Sequence, residues 1–226
     1  MRIGIIGAGR IGGNVGRLFS RAGHEVVLSY SRDPARLAAR AAAIGAAAGS
    51  PADAAAFGEV VMLSVPWDAV DDAAAAAGPL ADRIVIDTTN QFGAGGVVTL
   101  PSGRSAAEFN AERLRGARLV KSFNTLTAGF QAEAADRPAD RRVAMFLAGE
   151  DQRAKQVVGA LIRDAGFEPV DVGGWGQVSI MEAPRRPGSV YGEEYRPEAA
   201  RRIAEAARQD RAAAAELADS LKERGP

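Results

Sequence analysis

The 226-residue chain contains no cysteine. It therefore has no disulfide framework and no thiolate nucleophile, and this fits a reducing compartment. It has one histidine, His24, and no imbalance of charge, with 28 Lys and Arg against 28 Asp and Glu. No basic cluster of the kind that holds nucleic acid is present. No apolar run reaches the length of a membrane-spanning helix. The short run Met1–Gly7 gives way at once to glycines and Arg10, unlike a signal peptide. These absences predict a cytoplasmic protein without nucleic-acid or membrane partners. No Tyr-x-x-x-Lys pair occurs, which argues against a short-chain dehydrogenase, and no metal-ligand cluster is apparent.

What is present reads as an α/β protein. Apolar runs at Arg2–Ile6, Glu25–Tyr30, Glu59–Val65, Arg83–Asp87, Ala117–Ser122, Arg142–Leu147 and Phe167–Val172 predict buried strands. Between them, helical spacing predicts helices over Asn14–Ala22, Trp67–Ala77, Ser105–Arg115 and Gln152–Ala165. A further helix opens at Asp33-Pro34, with the aspartate as cap and the proline in the first turn. Strand–helix alternation implies a doubly wound parallel sheet, the Rossmann arrangement. A boundary near Gly173-Gly174 divides residues 1–172 from a helical C-terminal extension, residues 173–226. In that extension Pro197–Lys222 reads as one long amphipathic helix, suited to a lid or a subunit contact. Trp175, Tyr191 and Tyr195 lie in this part and fit a lid, a subunit contact or ordinary packing.

The most informative motif is Gly7-Ala8-Gly9-Arg10-Ile11-Gly12. It follows a predicted strand and opens a predicted helix, the context in which G-x-G-x-x-G signals a dinucleotide. The first glycine permits the tight turn, the second lets the backbone approach a pyrophosphate, and the third lets helix and strand pack closely. The unpaired N–H groups of the helix start would receive the phosphates. At the end of the second strand, an NAD site would place a carboxylate against the ribose. Here Ser29-Tyr30-Ser31-Arg32 stands instead. Hydroxyls and the guanidiniums of Arg32 and Arg36, one helical turn apart, suit a 2′-phosphate, so NADP(H) is expected.

Ligands of this fold gather at the carboxyl ends of strands. Three such ends carry unusual residues: Ser64-Val65-Pro66, Asp87-Thr88-Thr89-Asn90, and Lys121-Ser122-Phe123-Asn124-Thr125. Asn90, Asn124 and Thr125 are candidates for orienting a substrate, with helix capping as the equal alternative for the two asparagines. His24 lies in the turn into the second strand and reads as structural. No catalytic acid or base is identifiable. Hydride transfer between stacked cofactors needs little such help, because the cofactors carry the chemistry.

The segments RIGIIGAGRIGGNVGRLFSRAGHEV, SYSRDPARL, VMLSVPW, VIDTTNQF, ARLVKSFNTL and FEPVDVGG together resemble the NADPH-dependent coenzyme F420 reductase family, from Met1 to about Val172. The resemblance implies an NADP(H)-binding Rossmann domain, commonly a homodimer. It implies Ser31, Arg32 and Arg36 on the 2′-phosphate, and Ser64, Val65 and Pro66 near the nicotinamide. The deazaflavin enzymes of the family carry G-G-T-G-x-x-G and a His-Thr pair where this chain has GAGRIG and Asn124-Thr125. The expected activity is hydride transfer between NADP(H) and a small organic acceptor: F420, a flavin, an imine or a carbonyl compound. A β-hydroxyacid-type dehydrogenase is the runner-up among enzymes, but a tail of roughly 50 residues is short for its helical domain. The alternative of another class is a non-catalytic NADP(H)-binding redox sensor or partner-binding protein.

Overall fold

A computed structural model describes residues 1–30 and 33–222 of the chain. Among these residues the strands are β1 (Arg2–Ile6), β2 (Glu25–Ser29), β3 (Ala47–Ala48), β4 (Val60–Leu63), β5 (Ile84–Asp87), β6 (Phe92–Gly93), β7 (Gly96–Val97), β8 (Arg118–Ser122), β9 (Ala144–Ala148) and β10 (Glu168–Gly173). The helices are α1 (Arg10–Arg21), α2 (Pro34–Ala43), α3 (Pro51–Phe57), α4 (Val70–Ala77), α5 (Ala106–Arg113), α6 (Ala128–Ala134), α7 (Gln152–Asp164), α8 (Trp175–Val178), α9 (Pro197–Gln209) and α10 (Arg211–Leu221). One eight-stranded sheet has the order β10-β9-β8-β5-β4-β1-β2-β3, and β6 and β7 form a separate hairpin.

Alternate residues of the central strands feed two cores, as the period of two dictates. Ile3, Ile5, Val60, Met62, Ile84 and Ile86 pack on one face against Val15, Leu18 and Phe19 of α1 and Val158, Leu161 and Ile162 of α7. Ile6, Val61, Leu63 and Val85 pack on the other face against Ala54 of α3 and Val70, Ala73 and Ala77 of α4. Burial on both faces explains why these strands are continuous apolar runs rather than alternating ones.

The sheet is mostly parallel, with one exception to the expectation. β8 pairs antiparallel with β9, Lys121 facing Ala148 and Ser122 facing Leu147. The connection through α6 returns the chain at the carboxyl end of β8, so no crossover is made there. β9 and β10 then pair parallel to each other. Ala144, Phe146, Ala148, Val170 and Val172 present a third apolar face, covered by Val178, Met181, Tyr195, Ile203, Ala207, Ala214 and Ala218. The C-terminal residues thus share a core with the sheet.

Two other expectations are corrected. Helix α1 begins at Arg10, four residues before Asn14. The single long C-terminal helix is two helices, broken at Asp210, whose backbone is extended (φ −148°, ψ 118°). Asp210 accepts a hydrogen bond from Ala212 N at 2.8 Å and so caps α10 instead of continuing α9. Among the described residues no helix is long and apolar enough to cross a membrane. No group of His, Asp and Glu among them could hold a metal ion.

Candidate functional site

The chain leaves β1 for β2 on one side and returns to β4 on the other, so the order of the sheet reverses between β1 and β4. A crevice forms at such a switch point, outside the carboxyl ends of the strands. Gly7 follows β1 and Ser64 follows β4, and both line a cleft of about 1230 Å³. Two of the three fingerprint glycines have a geometric reason within the chain. Gly7 has φ +118°, and a Cβ there would stand 2.1 Å from Ser64 O. A Cβ on Gly12 would stand 2.0 Å from Gly7 O, so its absence lets α1 sit against the turn. A Cβ on Gly9 would meet nothing within 4 Å. The protein itself does not require glycine at position 9, whereas a ligand approaching the backbone would.

The start of α1 is left open to an anion. Gly9 caps it without a side-chain hydrogen bond, and its first turn holds no acidic residue. Helices α2, α3, α5, α6 and α7 are instead capped by Asp33, Ser50, Ser105, Thr127 and Asp151. The donors of α1 that would otherwise be satisfied face the cleft with the positive end of the helix. Arg10 is exposed at this start and Ile11 is half-buried beside it.

Along the cleft wall, Arg36 is exposed in the first turn of α2, where Asp33 accepts a hydrogen bond from Arg36 N at 3.0 Å. Ser31 and Arg32, the other two residues expected at a 2′-phosphate, lie outside the described residues. Ser64, Val65 and Pro66 line the same cleft. Two further lining residues escaped the sequence reading. Tyr30, directly after β2, is in the left-handed region, φ 60°, a conformation that costs a bulky residue free energy and clusters at functional sites. Arg40 donates from Nη1 to the carbonyl oxygens of Ala8 and, at 3.3 Å, Gly9. Its i+4 spacing from Arg36 was the available signal.

The carboxyl ends of β5 and β8 form a second, buried cluster. Asn90 Nδ2 donates to Asn124 O at 3.0 Å, and Asn124 Nδ2 donates to Asn90 Oδ1 at 3.2 Å and to Met181 O at 2.6 Å. Ala183 N donates to Asn90 Oδ1, Gln91 Nε2 to Ala183 O, and Gly192 N to Thr125 O. Neither asparagine caps a helix: both tie the strand ends to residues 181–192. Asn124 Oδ1, Thr125 Oγ1 and Gln91 Oε1 are buried without a hydrogen-bond partner among the described residues.

Beside them lies a charge network that joins Asp87 and Lys121, at two of the strand ends singled out above, to Glu182. Lys121, Asp87 and Glu182 are essentially inaccessible to solvent. Lys121 Nζ stands 2.9 Å from Asp87 Oδ2 and 3.8 Å from Glu182 Oε1. Asp87 also accepts from Thr89 N and Asn110 Nδ2, and Glu182 accepts from Ala106 N and Ala107 N at the start of α5. Burial pushes the Glu182 carboxyl above its ordinary value, against the pull of Lys121 and the two backbone donors. His24 lies elsewhere, with Nε2 3.1 Å from Asp164 Oδ2 and Nδ1 3.2 Å from the N-terminal amine. Tyr195 is buried and donates to Ala218 O, and Tyr191 packs near Phe92.

A glycine turn with open helix donors, at the switch point of a doubly wound sheet and walled by arginines, defines a dinucleotide-binding Rossmann protein. Residues 2–91 match the family model described as NADP oxidoreductase, coenzyme F420-dependent. A hypothetical protein from Sinorhizobium meliloti is 30% identical, with a TM-score of 0.74 over 82% of this chain and 92% of that one. A candidate F420-dependent NADP reductase from Arthrobacter sp. FB24 is 27% identical, with a TM-score of 0.66 over 77% of this chain and 85% of that one. The metalloreductase STEAP3 of Rattus norvegicus is 27% identical over 182 residues, 80% of this chain. The chain spans only 36% of that relative's length.

Proposed function

We propose that this chain is an NADP(H)-dependent oxidoreductase that moves a hydride between the nicotinamide and a small organic acceptor, with the deazaflavin coenzyme F420 the first acceptor to test. The observation that carries the reading is a single cleft joining three parts: the Gly7–Gly9 turn, the arginine-bearing start of α2, and Ser64–Pro66. In this reading Gly7, Gly9, Arg10, Ile11 and Gly12 form the diphosphate cradle. Ser31, Arg32 and Arg36 receive the 2′-phosphate, and Ser64, Val65 and Pro66 border the nicotinamide. When bound, NADP(H) supplies the hydride. The chain's own residues bind, orient and exclude water, which is the protein's part in cofactor chemistry. Asn90, Asn124 and Thr125 border the acceptor side, where the buried oxygens of Asn124 and Thr125 have hydrogen-bonding capacity to spare.

The test is a titration of the purified protein with NADPH and NADH, followed by addition of F420 and absorbance measurements of both cofactors. The expected result is tighter binding of NADPH and cofactor-dependent reduction of the deazaflavin. Tight NADPH binding without turnover of F420, flavins, imines or carbonyl compounds would replace the enzyme by a sensing protein. Absence of binding to either nucleotide would overturn the reading. Sedimentation of the same sample tests the homodimer that belongs to this proposal.

A further inference from the structure

We propose that Arg40 is a positioning residue of the cofactor site, bracing the glycine turn so that its N–H groups are set for the diphosphate before the cofactor arrives. The inference rests on the dinucleotide reading above and assigns Arg40 a role different from that of Arg36, although both lie on α2 and line the same cleft.

The turn needs a brace. Ala8 stands between two glycines, and Gly7 is in a backbone region open to glycine. Gly9 has no side chain to pack and no neighbour within 4 Å of a Cβ position. Rotation of the peptide plane between Ala8 and Gly9 is therefore opposed by little local steric restraint. Such a rotation would aim a carbonyl oxygen where a phosphate oxygen must sit, replacing attraction by repulsion. Arg40 Nη1 donates to Ala8 O, the carbonyl of that plane, and to Gly9 O, which also accepts from Gly13 N at 3.0 Å within α1. The arginine stem is itself located, since Gly13 brings α1 close: a Cβ there would lie 3.3 Å from Arg40 Cδ. Among the described residues, Arg40 Nε and Nη2 make no other hydrogen bond, so its described anchorage is the turn alone.

This role predicts a signature separating Arg40 from a phosphate ligand. The diphosphate is common to NADH, NADPH and ADP-ribose, whereas 2′-AMP carries only the 2′-phosphate. Arg40→Met keeps the stem and removes the donors. It is expected to weaken NADPH, NADH and ADP-ribose by the same factor, about tenfold for the loss of one charged hydrogen-bonding group, and to leave 2′-AMP binding unchanged. Arg40→Lys, which keeps a donor, is expected to recover part of the loss. Arg36→Ala is expected to weaken NADPH and 2′-AMP only. The measurement is calorimetric titration of wild type and the three variants with the four ligands, each variant first checked by thermal melting. Equal affinity of wild type and Arg40→Met for ADP-ribose would overturn the inference, as would a loss confined to NADPH and 2′-AMP. If wild type itself binds neither NADPH nor ADP-ribose, the dinucleotide reading fails, which is a distinct outcome.

Discussion

Replacing Lys121 by methionine removes one cation from between two buried carboxylates, Asp87 and Glu182. Breaking a buried pair by deleting one partner costs about 3–5 kcal/mol, because a desolvated charge is left behind. Each carboxylate here keeps two N–H donors, Thr89 and Asn110 for Asp87, Ala106 and Ala107 for Glu182. The lower end applies, about 3 kcal/mol, or a fall of roughly 6–12 °C in Tm for a chain of this size. Denaturant titration and calorimetry measure it directly. The pH dependence adds a second reading. Glu182 has its folded pKa raised above the ordinary 4.5 by burial. The native state therefore binds an extra proton between the unfolded and folded values, and stability falls as pH rises through that window. Without Lys121 the window extends to higher pH, so Lys121→Met is expected to lose more stability at neutral pH than near pH 4.5. Adding Asp87→Asn to Lys121→Met is expected to recover part of the loss. A deficit below about 1 kcal/mol, or strict additivity of the two substitutions, would refute the account of a coupled buried network.

Gly9→Ala is expected to leave the melting midpoint near wild type, since a Cβ meets nothing there, while weakening NADPH by about tenfold or more. An unchanged titration curve would remove position 9 from the cradle. Gly12→Ala should behave oppositely, costing about 1–3 kcal/mol of stability through overpacking, because its Cβ would stand 2.0 Å from Gly7 O; wild-type denaturant resistance would contradict this. Asp151 is held well below the usual carboxylate range by its paired hydrogen bonds with the Arg118 guanidinium and by Ala154 N. Its contribution is present above the ordinary 3.8 and is lost as pH falls through the lowered folded value. Asp151→Asn is therefore expected to flatten the acid limb of the stability profile, and an identical limb would show that the pair contributes nothing there.

Sequence alone discloses what is encoded locally. The fingerprint was legible because Gly7 and Gly12 answer short-range demands of the turn, and Asp33-Pro34 because capping spans three residues. The start of α1 was misplaced for the same physical reason that makes it useful: no capping side chain marks Arg10 as a helix beginning. Asp210 passed as an ordinary polar residue of a long helix because amphipathic spacing continues across it, whereas its side chain takes the backbone N–H of Ala212. The reversal of β9 was invisible since a strand buried on both faces has the same composition in either direction. It does leave a trace in space, where Arg118 and Asp151 meet across the antiparallel pair. The bonds of Arg40, Glu182 and Asn124 link segments tens of residues apart, and periodicity carries no such information.

That reversal also sets where the C-terminal chain packs. Running antiparallel, β9 starts beside the carboxyl end of β8, and its outer face is covered by the helices α9 and α10. The intervening segment then lies over the ends of β5 and β8, where Asn90, Gln91 and Asn124 hold Met181 and Ala183, and Glu182 satisfies the first N–H groups of α5. The glycine turn and its cleft are thus built within residues 2–91, the span matched by the family model, whereas the ends of β5 and β8 are tied to residues from the far end of the chain. In the proposed oxidoreductase, changes in residues 181–192 alter the acceptor side without touching a single member of the diphosphate cradle. Variation in acceptor among relatives with one cofactor turn has a physical route in that separation.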